Sequence, residues 1–421
     1  RRSAPYVTLD ACRTVEDRAQ RRGSRMPYWN PYDREVVANP FPAYRELRDE
    51  APVYLNEELG VYALSRYDDV MRAHLDPATF SSAHGVTIEG HDAGAPFLIT
   101  HDQPSHTWHR KIVSRVFTPR RIGGLEPFIR ARAGELLEAG LVDGRIDVVE
   151  DFSFRLPLDV IGELIGLPAE HREAIHHHSD ALAEAMGRFD LETVASASEA
   201  MRGVLLDLVV ERRRDPGDDV ISLLIRSPVV DDEGDERLLD DQELSFRFVE
   251  LAFAGHETVA KLIANAVVAL AWYPDQRREL AVDPSLLPGA VEEMLRWDPP
   301  SHYQGRWTTR DVVLHGTTIP ADRRVVLITG SAVHDELVWD EPELFDIHRR
   351  IDRHVSFGYG IHLCLGAALA RLETRIAFEE LLARIPDYEL ADEGIVRAYS
   401  SNVRGLAHLP IVVEPAPAPV G

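Results

Sequence analysis

The stretch His354-Val355-Ser356-Phe357-Gly358-Tyr359-Gly360-Ile361-His362-Leu363-Cys364-Leu365-Gly366 runs straight into a strongly helical segment, 367–385. It sets a cysteine in a glycine-rich loop at a helix N-terminus. There the helix dipole and unpaired amides lower a thiol's pKa and stabilise a thiolate, as a metal ligand or a nucleophile requires. Gly358 and Gly360 let the backbone fold under a flat ligand, and Gly366 lets the helix approach it. A buried structural cysteine is the ordinary alternative. Against it, Phe357, Gly358, Gly360, His362, Cys364 and Gly366 at these spacings coincide by chance only on the order of once in a million chains of average usage.

Working outward, Asp241 opens an apolar helical pattern that runs to Pro274, about 33 residues and roughly 50 Å. At its middle, Ala254-Gly255-His256-Glu257-Thr258 breaks local rules twice. Gly255 costs ~1 kcal/mol relative to alanine, and Glu257 puts a carboxylate into an apolar stripe. Such breaks point to function, since glycine lets a ligand approach the backbone and an acid beside a hydroxyl can pass protons. A close helix crossing at Gly255, with Glu257 reaching a buried partner, explains the same residues.

Apolar residues recur at helical spacing in 124–140, 153–166, 172–187 and 192–213, while strand patterns are confined to 53–55, 61–64, 312–314, 325–328 and the C-terminus. The fold class is therefore mainly α with a minor β region. The expected organisation is an N-terminal tail over 1–30, one domain over 31–414 and a Pro/Ala tail over 415–421, with the acidic stretch 231–236 as a solvated loop. The 421 residues include 46 basic and 70 acidic side chains, a net charge of −24, which argues against a nucleic-acid partner. Only two cysteines occur, Cys12 and Cys364, so a disulfide framework and a four-thiolate metal site are excluded and a cytoplasmic location is expected. The N-terminal arginines precede no signal-peptide core, and the apolar run 262–273 is too short to cross a membrane. Three successive histidines, His176, His177 and His178, point about 100° apart on a helix and cannot converge on a metal.

The cysteine loop resembles the haem-ligand signature of the cytochrome P450 family, Phe-Gly-x-Gly-x-His/Arg-x-Cys-x-Gly, and matches every fixed position. The likeness covers residues 40–413. Ala254 to Thr258 is similar to the family's oxygen-binding segment, and Glu293-Met294-Leu295-Arg296 to its Glu-x-x-Arg element, which pairs with 342–345. Residues 102–110 are similar to the helix over which the haem propionates lie. The resemblance implies a triangular fold with a long central helix over haem b and Cys364 as the axial thiolate, whose electron donation favours O–O cleavage. It implies Ala254, Gly255, Phe357, Gly358 and Gly366 beside the haem, and His106, Arg110, Arg306, His354 and His362 as propionate partners. Thr258 and Glu257 would deliver protons during O2 activation. Departures from the family pattern are Val259 for a second threonine, Val333-His334-Asp335 for Asn-Arg-Asp, and Leu344 for an arginine, the last implying a rearranged Glu293–Arg296 network.

The implied reaction is insertion of one oxygen atom from O2 into a small to medium hydrophobic substrate, by hydroxylation or dealkylation. Electrons come from a separate ferredoxin and its reductase, with Lys111, Arg115, Arg120, Arg121, Arg349, Arg350 and Arg353 as candidates for a basic docking face, and a monomer is expected. The pocket would be lined by Val86, Phe97, Leu98, Met186, Phe189, Glu250, Phe253, His302, Tyr303 and Val403. Glu250 lies on one helical face with Ala254 and Thr258. It meets a polar substrate group there, or is hidden in a salt bridge. The competing functions are a peroxide-driven enzyme and a non-catalytic haem sensor; a cysteine hydrolase lacks an acid to orient His362.

Overall fold

The computed structural model describes residues 27–89, 97–188, 190–230 and 234–413. The expected tails fall outside these residues except at 27–30, where Trp29 is buried edge-on against Tyr303. Of the acidic stretch, 231–233 are also outside, while Glu236 is a strand residue: Glu236–Leu238 pairs with Pro228–Val230, a correction to the loop expected there.

The axis of the molecule is the helix Asp241–Trp272, 32 residues and about 48 Å long. Its cap is Asp240, one residue earlier than the pattern suggests. Asp240 accepts from the Glu243 amide at 2.8 Å, and Glu243 reaches back to the Asp240 amide at 2.9 Å. It stops where Pro274 begins the next helix. Around it pack Arg155–Ile165, Leu191–Arg214 and Ala367–Arg384. Beyond its first turn Ala254 alone is exposed on this helix. No described helix is long and apolar enough to cross a membrane.

The minor β part is a five-stranded sheet in the order Val53–Asn56, Val61–Leu64, Arg324–Leu327, Gln304–Thr308, Phe80–Ser81. Its parallel pair joins Arg324–Leu327 to Val61–Leu64, and Arg306 lies opposite Val325 on the next strand. A side chain at Gly305 would put its Cβ 2.8 Å from the Thr87 carbonyl oxygen, so the glycine lets the chain at 86–87 lie against this strand.

Two ionic networks fix the cysteine loop to this frame. Glu293 and Arg296 are fully buried and bonded at 2.6 and 2.8 Å, and Arg296 also donates to the carbonyls of Pro342 and Leu344. Arg349 supplies the second guanidinium that Leu344 cannot, 3.3 Å from Glu293, and also bonds the Asp340, Glu341 and Leu344 carbonyls. It is therefore structural, a correction to its expected place on a docking face. In the second network Glu292 takes the Arg371 fork at 2.5 and 2.9 Å and His354 at 3.1 Å, while the Arg371 guanidinium stacks on Phe357 at 4.6 Å. Burial works to raise the Glu292 pKa, but Arg371 and His354 outweigh it and bring it down to about 2. A depressed carboxylate contributes stability above its unfolded value near 4.3 and loses it as pH falls toward 2. Glu292→Gln should therefore lower the thermal midpoint at pH 7, by about 1 kcal/mol in stability. In a melting series against pH the difference from the parent protein shrinks below about pH 4 and vanishes near pH 2; a difference independent of pH contradicts the assignment.

Candidate active site

The cysteine loop takes its shape from two left-handed glycines, Gly358 at φ 65° and Gly360 at φ 68°. A Cβ on Gly360 would lie 2.3 Å from the His74 carbonyl oxygen, so this glycine also lets the loop close on the end of the helix Tyr67–Leu75. The Cys364 amide donates to the Phe357 carbonyl at 2.9 Å, turning the chain so that Gly366 opens the helix Ala367–Arg384. Cys364 is exposed at the surface of the loop. Desolvation of the thiol raises its pKa, with the Gly366 amide, then Arg110 and Arg371, and last the Ala367 amide pulling the other way. The helix N-terminus alone thus does not yield a thiolate; a coordinated metal ion would, since it displaces the proton outright. Gly366 has ordinary φ, and a Cβ there would meet only Phe117 at 3.9 Å.

Beside the loop lies a cluster of basic groups, with His74, His106 and Arg306 buried and Arg110 and His362 half-buried. Arg306 is 3% exposed and its guanidinium bonds only its own Gly305 carbonyl, at 2.7 Å, among the described residues; burial lowers its pKa to about 10, still protonated at neutral pH. Arg110 reaches the Leu363 carbonyl at 2.6 Å. The His106 and His362 rings meet edge to face at 4.6 Å, and burial brings their pKa values down to about 4 and about 2. His74 belongs here too, at about 3 through burial and the charge of Arg306. Nε2 of His106 and His362 and both ring nitrogens of His74 have no hydrogen-bond partner among the described residues. Asp102, the acid whose charge acts on Arg306 and His106, is held by Ser81 and by the Ser82 amide. Two guanidiniums and three neutral imidazoles with unused nitrogens are a receptor for a group bearing two carboxylates.

On the central helix, the Thr258 hydroxyl donates to the Ala254 carbonyl at 3.2 Å, so its lone pairs remain available. Gly255 serves the helix crossing: a Cβ there would stand 2.9 Å from Ile161 Cδ1. Glu257 is buried, its pKa raised by burial and opposed by Lys261 one turn on. The Lys261 ammonium is itself buried and donates to the Leu406 carbonyl at 2.8 Å.

The model of the cytochrome P450 family matches residues 284–385. Vitamin D(3) 25-hydroxylase of Pseudonocardia autotrophica is 40% identical over 90% of this chain and 95% of its own. Steroid C26-monooxygenase of Mycobacterium tuberculosis is 36% identical over 90% and 94%. The open form of cytochrome P450 EryK from S. erythraea superimposes with a TM-score of 0.82 at 34% identity, covering 90% of this chain and 97% of that one. This chain belongs to the cytochrome P450 family. It is a monooxygenase of that family, and its cofactor is haem. The residues present fit this group: the unused donors match two propionates, and Cys364 offers sulfur to the iron.

Not every expected P450 site residue joins this cluster. His354 is a correction: both its ring nitrogens are taken, by Glu292 and by the Ser356 amide, so it braces the loop from behind. His302 and Tyr303 are corrections as pocket residues. The first is buried between Tyr44, 2.9 Å away, and Asp298; the second packs on Trp29 with its hydroxyl 3.2 Å from Ser401. Each polar tip finds its partner in the core beside the sheet. Leu98 is buried, Phe97 meets Phe246 at 6.3 Å, Val86 accepts the Gly305 amide at 2.7 Å, and Phe253 and Val403 are half-buried. The side chain of Met186, and Phe189, lie outside the described residues. Glu250 is bonded to Arg247 at 3.0 Å, the salt bridge that was one of its two expected placements. His177 is exposed and His178 half-buried, a surface pair rather than a site.

Sequence reasoning missed His74, although a signal was there: with Tyr67, Val70 and Met71 it completes the apolar face of its helix. Replacing Arg306 by leucine should cut haem retention, read as the ratio of Soret to 280 nm absorbance after gel filtration, by about tenfold or more. His74→Phe should lower it less; full retention in Arg306→Leu would show that the cluster does not hold the cofactor.

Proposed function

We propose that this P450 hydroxylates a lipophilic substrate of steroid or secosteroid size, taking electrons from a separate ferredoxin and its reductase. The observation that carries the reading is the acid and hydroxyl pair, Glu257 and Thr258, beside Ala254, the one residue exposed on this helix beyond its first turn. Held by Cys364, haem supplies reductive O2 activation and insertion of one oxygen atom into a C–H bond. The residues around it bind, orient and move protons. Arg110, Arg306, His106, His362 and His74 anchor the two carboxylates. Thr258 turns its hydroxyl proton from the Ala254 carbonyl toward the cleft, and the buried acid Glu257 supplies the proton that replaces it. Glu257 keeps its proton to higher pH than an exposed acid because it is buried, and Lys261 limits how far that goes. Phe97, Leu98 and Phe253 give the pocket its apolar wall and keep water from the site. The names of the relatives, a vitamin D(3) hydroxylase and a steroid monooxygenase, support the substrate class.

For the redox partner, Lys111, Arg115 and Arg120 are exposed, and none is in an ion pair among the described residues. Arg353 is exposed over the Tyr359 ring just before the cysteine loop. On a chain of charge −24 these cations steer an acidic ferredoxin to the cysteine side.

Turnover of a steroid panel under 18O2 with ferredoxin, reductase and NADPH tests the proposal. One labelled oxygen per product is expected, with the ferredoxin KM raised at low salt in Arg115→Glu/Arg353→Glu. Thr258→Ala should lower product by about 10²-fold while peroxide release rises. Label arriving only from added peroxide would establish the peroxide-driven enzyme. A haem protein with no ligand-dependent spectral shift and no product would be a sensor.

A further inference from the structure

Glu250 does more than neutralise Arg247. Its Oε2 accepts the Leu98 amide at 2.9 Å, and its Oε1 accepts the Ile99 amide at 3.2 Å. These amides open the short 3-10 turn Leu98–Thr100, whose own cap residue, Phe97, has no side-chain acceptor to offer. The central helix therefore caps a turn of a distant loop. Arg247 completes the arrangement: 5% exposed, it donates to Glu250 at 3.0 Å and meets His109 Nδ1 at 3.1 Å with its other arm. Burial and the charge of Arg247 bring the His109 pKa down to about 3, so that nitrogen is an acceptor at neutral pH. His109 stacks on His101 at 4.5 Å and belongs to the helix Ser105–Val113, which carries His106 and Arg110.

We infer that Glu250 and Arg247 are positioning residues that pin the 97–100 turn between the central helix and the His106–Arg110 helix, and so set how tightly the pocket wall at Phe97 and Leu98 holds a ligand. Both carboxylate oxygens are spent on amides and guanidinium, so Glu250 is not a contact for a basic substrate group. This rests on the reading of Phe97 and Leu98 as pocket wall.

Glu250→Ala alone strands a buried guanidinium and can fail to fold; the informative variant is the double Arg247→Met/Glu250→Ala, with Glu250→Gln beside it. Two readouts on the ferric holoenzyme separate the parts. Hydrogen–deuterium exchange at 97–100 reports the clamp, with amide protection expected to fall about tenfold or more in the double variant and less in Glu250→Gln, which keeps one acceptor. Stopped-flow dissociation of 4-phenylimidazole reports the wall, with the off-rate expected to rise several-fold, about in proportion. Unchanged amide exchange would overturn the clamp. Faster exchange with an unchanged off-rate would leave the clamp standing and refute its control of the pocket. The reduced carbon monoxide spectrum should match the parent protein; a changed spectrum would mean that Glu250 acts on the haem itself and would overturn the inference.

Discussion

Burying the Arg306 guanidinium with no carboxylate bonded to it among the described residues is the constraint on which the site depends. Arg306 sits inside the sheet, 3% exposed, with its own Gly305 carbonyl as its bonded partner. A buried charge so poorly paired costs several kcal/mol, and burial cannot neutralise it because its pKa remains about 10. The neighbouring imidazoles respond oppositely: His74, His106 and His362 give up their protons and present neutral nitrogens. The chain thus stores an electrostatic cost that a dianionic cofactor offsets, and cofactor binding adds to folding free energy by linkage.

The proximal side is arranged to hold the cysteine loop still while this happens. Glu292, Arg371, His354 and Phe357 brace it directly, and Glu293, Arg296 and Arg349 fix the segment leading to it. These pairs are satisfied within the chain, unlike the cluster around Arg306. The contrast separates structural charge from binding charge without reference to any relative.

The sequence made the long helix and the cysteine loop readable because each is a local pattern: a capped apolar stripe ending at proline, and glycines at the left-handed turns. The strands 53–56 and 61–64 were readable for the same reason. What stayed hidden depends on partners distant in the chain. His354 looks like an anion donor until Glu292 and the Ser356 amide are seen on its two nitrogens. Arg349 looks like a surface cation until the missing arginine at Leu344 leaves Glu293 within its reach. His302 and Tyr303 sit between pocket-like neighbours in sequence, but their partners Tyr44 and Trp29 come from the N-terminal part of the chain. Glu250 was legible as an anomaly, and only the folded loop shows which of its two placements holds.

The central claim is that Cys364 holds haem as its thiolate at the end of this cluster. The absorption spectrum of the dithionite-reduced protein under carbon monoxide tests it most directly, recorded for the parent chain and for Cys364→Ser. The account predicts a Soret band at the thiolate–carbon monoxide position that the serine variant loses. A band of the histidine-ligated type in the parent chain, or a thiolate-type band that survives in Cys364→Ser, would contradict it.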